Sequence, residues 1–139
     1  MPNRIAATAV AALAVALLGA CSSGPQTPLA STASVTVDGH DAKIPVVKCG
    51  QLEWNRTIDI GGDFSGAKAV VDQSAHPLSV TSVRIQNLGG FTGMYSKGGG
   101  TASASLNGDT FTIAGSANGF KTDKPGEPAT ADFKIIVTC

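Results

Sequence analysis

Three thiols carry the most usable chemistry in this chain of 139 residues: Cys21, Cys49 and Cys139. The other candidate groupings are thinner. Asp38, His40 and Asp41 put three metal-ligand side chains within four residues, a spacing that suits a hairpin turn at least as well as a weak site, so no metal is expected. His76, alone before Pro77, reads as a loop residue. No G-x-S-x-G elbow, G-x-x-x-x-G-K loop or H-E-x-x-H motif occurs, which removes the common hydrolase, nucleotide and zincin signatures. Gly61-Gly62-Asp63 and the run from Gly98 to Gly100 lack the Lys-Ser/Thr and helix that a phosphate loop requires, and read as turns. With no nucleophile–base pair in view, the expectation is a protein without catalytic activity and without a cofactor.

Cys21 has the most informative surroundings. Arg4 opens the chain with a positive charge, and residues 5–18 (IAATAVAALAVALL) are an uncharged apolar run of 14. As a helix rising about 1.5 Å per residue, that run spans roughly 21 Å, short of a hydrocarbon core of about 30 Å. It fits a secretory h-region better than a permanent membrane span. Leu18-Gly19-Ala20-Cys21 then resembles the bacterial lipobox, in which the thiol receives a diacylglyceryl group and the chain is cut just before it. Residues 1–20 are accordingly expected to form a signal helix that is removed. Cys21 is expected to carry lipid, palmitate included, and to hold the protein on the cell membrane facing away from the cytoplasm. Two or three acyl chains suffice for stable anchoring, where a single chain binds only marginally.

With Cys21 assigned to lipid, Cys49 and Cys139 remain as an even pair outside the cytoplasm, which points to a disulfide. Free thiols or metal ligands are the alternatives; zinc is disfavoured because no C-x-x-C pair is present and only His40 and His76 could complete a site. Charge adds no nucleic-acid partner. Ten basic residues balance ten acidic ones, and loss of Arg4 with the first 20 residues leaves 119 residues with nine basic against ten acidic, a net side-chain charge of −1. A nucleic-acid binder needs a basic patch or stripe, so nucleic acid is excluded as the expected partner.

The elements that must position these residues begin just beyond Cys21. Residues 22–34 (SSGPQTPLASTAS) are uncharged, rich in Ser, Thr, Pro and Gly, and without hydrophobic period; with Cys21 they read as a flexible tether over 21–34. From residue 35 to 139 the period is two. Val35 and Val37 alternate with polar neighbours before a turn at Gly39-His40-Asp41. Strand runs are expected over 44–49, over 52–60 with Trp54, Ile58 and Ile60 on one face, over 67–72 and over 80–88. A glycine-punctuated stretch surrounds Phe91, Met94 and Tyr95, and runs over 102–106 and 110–114 flank Asn107-Gly108-Asp109, a hairpin signal. Residues 121–128 (KTDKPGEP) read as a polar loop, and Phe133, Ile135 and Val137 alternate in the closing strand. The expected fold class is all-β: an antiparallel sandwich or strongly curved sheet of about eight short strands, in one domain over 35–139, preceded by the signal helix and tether.

Val35-Thr36-Val37-Asp38-Gly39, Ile58-Asp59-Ile60-Gly61-Gly62, residues 112–119 (TIAGSANG) and the terminal Ile136-Val137-Thr138-Cys139 together resemble the mycobacterial nineteen-kilodalton lipoprotein antigen family across the mature domain. The resemblance implies a surface-accessible, antigenic envelope lipoprotein whose acylated N-terminus stimulates a Toll-like receptor, and it implies no enzyme. The expected partners are therefore the membrane, through the lipid, and a host receptor or envelope component met by an adhesin-like module. A carrier of a lipid or other apolar ligand is the alternative, motivated by Phe91, Met94, Tyr95 and Phe120, which lie in glycine-rich stretches where an apolar mouth could form.

Overall fold

The computed structural model describes residues 31–139. The expected signal helix, Cys21 and the tether up to residue 30 lie outside the described residues. Those described form ten antiparallel strands and no helix: β1 (Ala33–Val37), β2 (His40–Ile44), β3 (Val47–Leu52), β4 (Asn55–Gly61), β5 (Gly66–Asp72), β6 (Ser79–Leu88), β7 (Phe91–Ser96), β8 (Ala102–Asn107), β9 (Thr110–Lys121) and β10 (Lys124–Thr138). They make one sheet in the order β2-β1-β10-β9-β7-β6-β5-β4-β3, with β8 pairing β9. The sheet curls so that it nearly closes on itself, and the all-β, strongly curved architecture is the one the period of two implies.

The curl follows from how β9 is shared. Along one edge β9 pairs β10 from Thr138↔Thr110 to Lys124↔Lys121. Along the other it pairs β8 through Gly115 and then β7 from Asn118 to Lys121. One long strand thus belongs to both layers. Apolar residues alternate into the space between them: Val35 and Val37 of β1, Ile58 and Ile60 of β4, Val83 and Ile85 of β6, Phe111 and Ile113 of β9, and Phe133, Ile135 and Val137 of β10 are all buried. Each such side chain contributes roughly 1.5–3 kcal/mol relative to exposure. No polar or charged residue among those described is buried in the core.

Ten strands replace the expected eight because residues 40–44 and 91–96 are strands of their own, and three connections are tighter than the composition suggests. The first turn is centred on Asp38-Gly39, with φ of 51° and 78°, and pairs Val37 with His40. Two positive φ angles match the right-handed twist of a two-residue hairpin, so the turn sits one residue earlier than expected and His40 and Asp41 become strand. The runs over 44–49 and 52–60 are each split. Pro45 has no N–H for a ladder and separates β2 from β3. Glu53-Trp54 forms a two-residue turn between Leu52 and Asn55, taking Trp54 off the inner face of β4 and leaving it 66% exposed. The stretch around Phe91 is itself a strand, β7. The polar loop expected over 121–128 is a two-residue turn at Thr122-Asp123 followed by a bulge between Lys124 and Pro128, so β9 and β10 run on through it.

Candidate functional site

Cys49 and Cys139 are bonded, with a Cα–Cα distance of 5.9 Å and 90 residues between them in sequence. Cys49 lies on β3, an end strand of the sheet held only by β4, and Cys139 follows β10, third from the other end. The bond therefore spans the seam that the sheet leaves open. The Cys139 N–H donates to the Asp109 carbonyl at 2.9 Å, fixing the C-terminus beside the β8–β9 turn.

The Asp38, His40 and Asp41 trio does not gather. The Asp38 carboxylate meets Lys121 Nζ at 3.2 Å, and Asp41 accepts from the Thr36 hydroxyl. His40 and Asp41 are consecutive strand residues, so their side chains leave on opposite faces. Among the described residues no group of three His, Cys, Asp or Glu side chains is placed to hold a metal ion.

The four residues expected around an apolar mouth divide in the same way. Phe91 and Tyr95 are buried in the core, whereas Met94 and Phe120 are 50% and 37% exposed on the outer surface. The cause is strand parity on β7: Phe91 and Tyr95 face inward, and Met94 faces out. Met94 and Phe120 border a shallow, open hollow of about 280 Å³ together with Arg84, Thr92 and Asn118. Arg84 also borders a second open depression of about 570 Å³, which includes Lys48, Asp59, Lys68 and Gln86. The registers Lys48↔Asp59, Asp59↔Lys68, Lys68↔Arg84 and Arg84↔Met94 show that these side chains form one cross-strand row on the outside of the sheet. Lys68 and Asp59 pair at 3.5 Å with both side chains about half exposed, a contact contributing at most about 1 kcal/mol. The row is a mixed surface that runs from charged side chains at Lys48, Asp59, Lys68 and Arg84 to apolar ones at Met94 and Phe120.

A different surface surrounds the point where the chain enters the fold. Ser34 pairs with Ile136, and Val137 pairs with Phe111, so Ala33 and Phe111 lie at one end of the barrel-like sheet. The Arg56 guanidinium sits 6.0 Å from the centre of the Phe111 ring, closing that end of the core. Arg56 pairs with Gln51, one residue from the β3–β4 turn. Leu52, 75% exposed, and Trp54 therefore project from the end at which β1 begins. The tip is held in shape: Gln51 Nε2 donates to the Glu53 carbonyl at 2.6 Å, and the Gln73 N–H donates to the Trp54 carbonyl at 2.8 Å. Nothing in the sequence singles out this tip, since Glu53 takes its φ of 54° without the Gly or Asn that would mark a turn.

Beside the tip, the Ser74 hydroxyl and N–H both donate to Asp72 Oδ1, at 2.6 and 2.8 Å. These two bonds, with a smaller contribution from Lys97, hold the Asp72 carboxyl below its usual 3.8 because they favour the charged form. A folded-state pKa below the unfolded one gives stabilisation that is present above the unfolded value and lost as pH falls through the folded one. Ser74→Ala is expected to move the Asp72 carboxyl titration upward toward 3.8, followed by carboxyl NMR shifts against pH. An unmoved titration would show that the hydroxyl bond has no such role.

Residues 26–139 match the sequence profile of the Mycobacterium 19 kDa lipoprotein antigen family. Similar chains include a lipoprotein of Mycobacterium indicus pranii, 61% identical over the whole length of both chains. The protein named lipoprotein LppE of Mycobacterium tuberculosis is 36% identical, again over the full length of both. Lipoprotein LpqH of Mycobacterium bovis is 36% identical over 113 residues, which are 79% of this chain and 70% of that one.

Proposed function

Because the chain belongs to the Mycobacterium 19 kDa lipoprotein antigen family, we propose that it is an envelope lipoprotein whose β domain, over 35–139, is held outside the cytoplasm by lipid on Cys21 and serves as a surface antigen and adhesin-like interaction module. The observation that carries this reading is the succession of a short apolar run, Leu18-Gly19-Ala20-Cys21 and a polar tether, joined to a β domain with a filled apolar core of its own. The disulfide agrees with an oxidising compartment. The outer row from Lys48 to Met94 is the face on which a host receptor or envelope component would be met. A carrier would need an enclosed apolar cavity, of about 300 Å³ or more. Both hollows on the outer face are open, and Phe91 and Tyr95 fill the core instead of lining a pocket, so no observation favours that alternative.

The test is Cys21→Ala, expressed in a mycobacterial host. The variant is expected to lose the acyl mass that the parent carries and to leave the membrane fraction. A variant that stays with the membrane would refute anchoring through Cys21.

A further inference from the structure

The exposed apolar side chains are not spread evenly over the fold. Phe64, 88% exposed, tips the β4–β5 turn, where the Ser65 hydroxyl donates to the Asn87 carbonyl. Leu88 next pairs with Phe91 and Phe91 with Lys121, which places this turn at the end of the sheet where β1 finishes. Leu52 and Trp54 occupy the opposite end, where β1 begins. That is the end from which the chain runs back toward Cys21. Eleven residues, 22 to 32, lie between Cys21 and β1, and the twelve chain steps from Cys21 to Ala33 reach no more than about 43 Å even fully extended. A bilayer that held the lipid of Cys21 is therefore met over the shortest path on the side of the β3–β4 tip.

We propose that the β3–β4 hairpin tip, through Leu52 and Trp54, docks into the interfacial layer of that same bilayer and sets the orientation of the domain upon it. Docking rests on the acylation of Cys21 that the proposed function includes. Tryptophan, with an apolar body and one N–H donor, is suited to the boundary between headgroups and acyl chains. Trp54 stands in a two-residue turn, and Leu52 directly before it, already braced by Gln51 and Gln73, so docking orders little that is not ordered beforehand. The ionisable side chains around this end are Lys43, which pairs with Ser34 at the start of β1, Glu53, Arg56 and Asp72, His76 in the β5–β6 loop, Lys97 and Asp109. Three acids (Glu53, Asp72, Asp109) against three Lys and Arg bases (Lys43, Arg56, Lys97) leave no cationic excess to draw the end to an anionic headgroup layer, so apolar insertion is the better account of the contact. Glu53 stands between the two apolar residues and would remain among the headgroups while they insert.

Trp54 is the only tryptophan in the chain, so the tip reports on itself. Acylated protein purified from a mycobacterial host would be reconstituted in phosphatidylcholine vesicles with and without bromine on the acyl chains. The expected result is Trp54 emission shifted to shorter wavelength, quenched by brominated and not by plain chains, and unchanged by high salt. The Cys21→Ala protein in buffer should keep the emission of water-exposed indole. Leu52→Ser, at an exposed position that leaves the fold intact by circular dichroism, should weaken the quenching. A chain that carries acyl mass and floats with the vesicles while its emission stays water-like overturns docking and leaves the anchor standing. A chain without acyl mass that does not float overturns the anchor, and docking with it. A blue shift without bromine quenching would show the tip buried against a second copy or another protein, which also overturns the proposal.

Discussion

Replacing Cys49 and Cys139 together by alanine is expected to lower the unfolding free energy by about 3–5 kcal/mol, and the melting temperature by roughly 10–20 °C for a domain of this size. Two effects act in the same direction. The bond closes a loop of 90 residues, and the chain-entropy relation for that length gives about 4.5 kcal/mol from restriction of the unfolded chain. In the folded state the bond also holds β3, whose residues are exposed except for the half-buried Val47 and whose only strand partner is β4. Without the bond β3 keeps one ladder and little apolar burial, so this end of the sheet should open first. Guanidinium unfolding of the oxidised parent and the double variant is the direct measurement. The variant should show a lower midpoint and a steeper slope, because its unfolded state is no longer cross-linked and exposes more surface. A double variant within about 1 kcal/mol of the parent, well short of the loop-closure figure, would mean that the sheet holds its seam without the bond. Single cysteine variants are less informative, since each leaves a reactive thiol.

The disulfide was readable from the sequence because parity and compartment decide it, without any knowledge of the sheet. Strand character was readable for a related reason: burial on one face imposes a period of two, and Val35-Val37 or Phe133-Ile135-Val137 display it directly. Connections were harder. Two-residue hairpins use the same residues that mark long loops, so Lys121–Pro128 looked like a loop when it is a tight turn and a bulge. The turn at Glu53-Trp54 carries no Gly or Asn; Glu53 takes φ of 54° without any side chain that signals it. The surfaces were hidden for a further reason. Lys48, Asp59, Lys68, Arg84 and Met94 are far apart in sequence and become neighbours only through register. Likewise Ala33 and Trp54 share an end of the fold only because β1, β10, β9 and Arg56 connect them in space.

The glycine content conceals one position on which the whole curl depends. Gly119→Ala is expected to destabilise the domain by about 3 kcal/mol or more, while Gly50→Ala should be neutral or slightly stabilising. A Cβ at Gly119 would lie 1.9 Å from the Thr92 carbonyl oxygen and 2.4 Å from the Gly93 Cα. Both obstacles are backbone, so no rotamer change relieves them. Gly93↔Gly119 is one of only four pairs joining β7 to β9, and those pairs are where the chain passes from one layer of the curl to the other. Gly93 is itself closed in, since the Phe91 ring occupies the place of a Cβ at 2.6 Å while Phe91 is 1% exposed in the core. Separating the two backbones to admit a methyl group would break ladder hydrogen bonds, each worth about 1 kcal/mol, and would lift Phe91 from its packing. At Gly50 a Cβ meets nothing within 4 Å, and alanine there only reduces the freedom of the unfolded chain. Urea unfolding of both variants beside the parent separates the two situations. Equal midpoints for Gly119→Ala and Gly50→Ala would show that the β7–β9 junction can widen, and that close backbone approach is not what joins the layers.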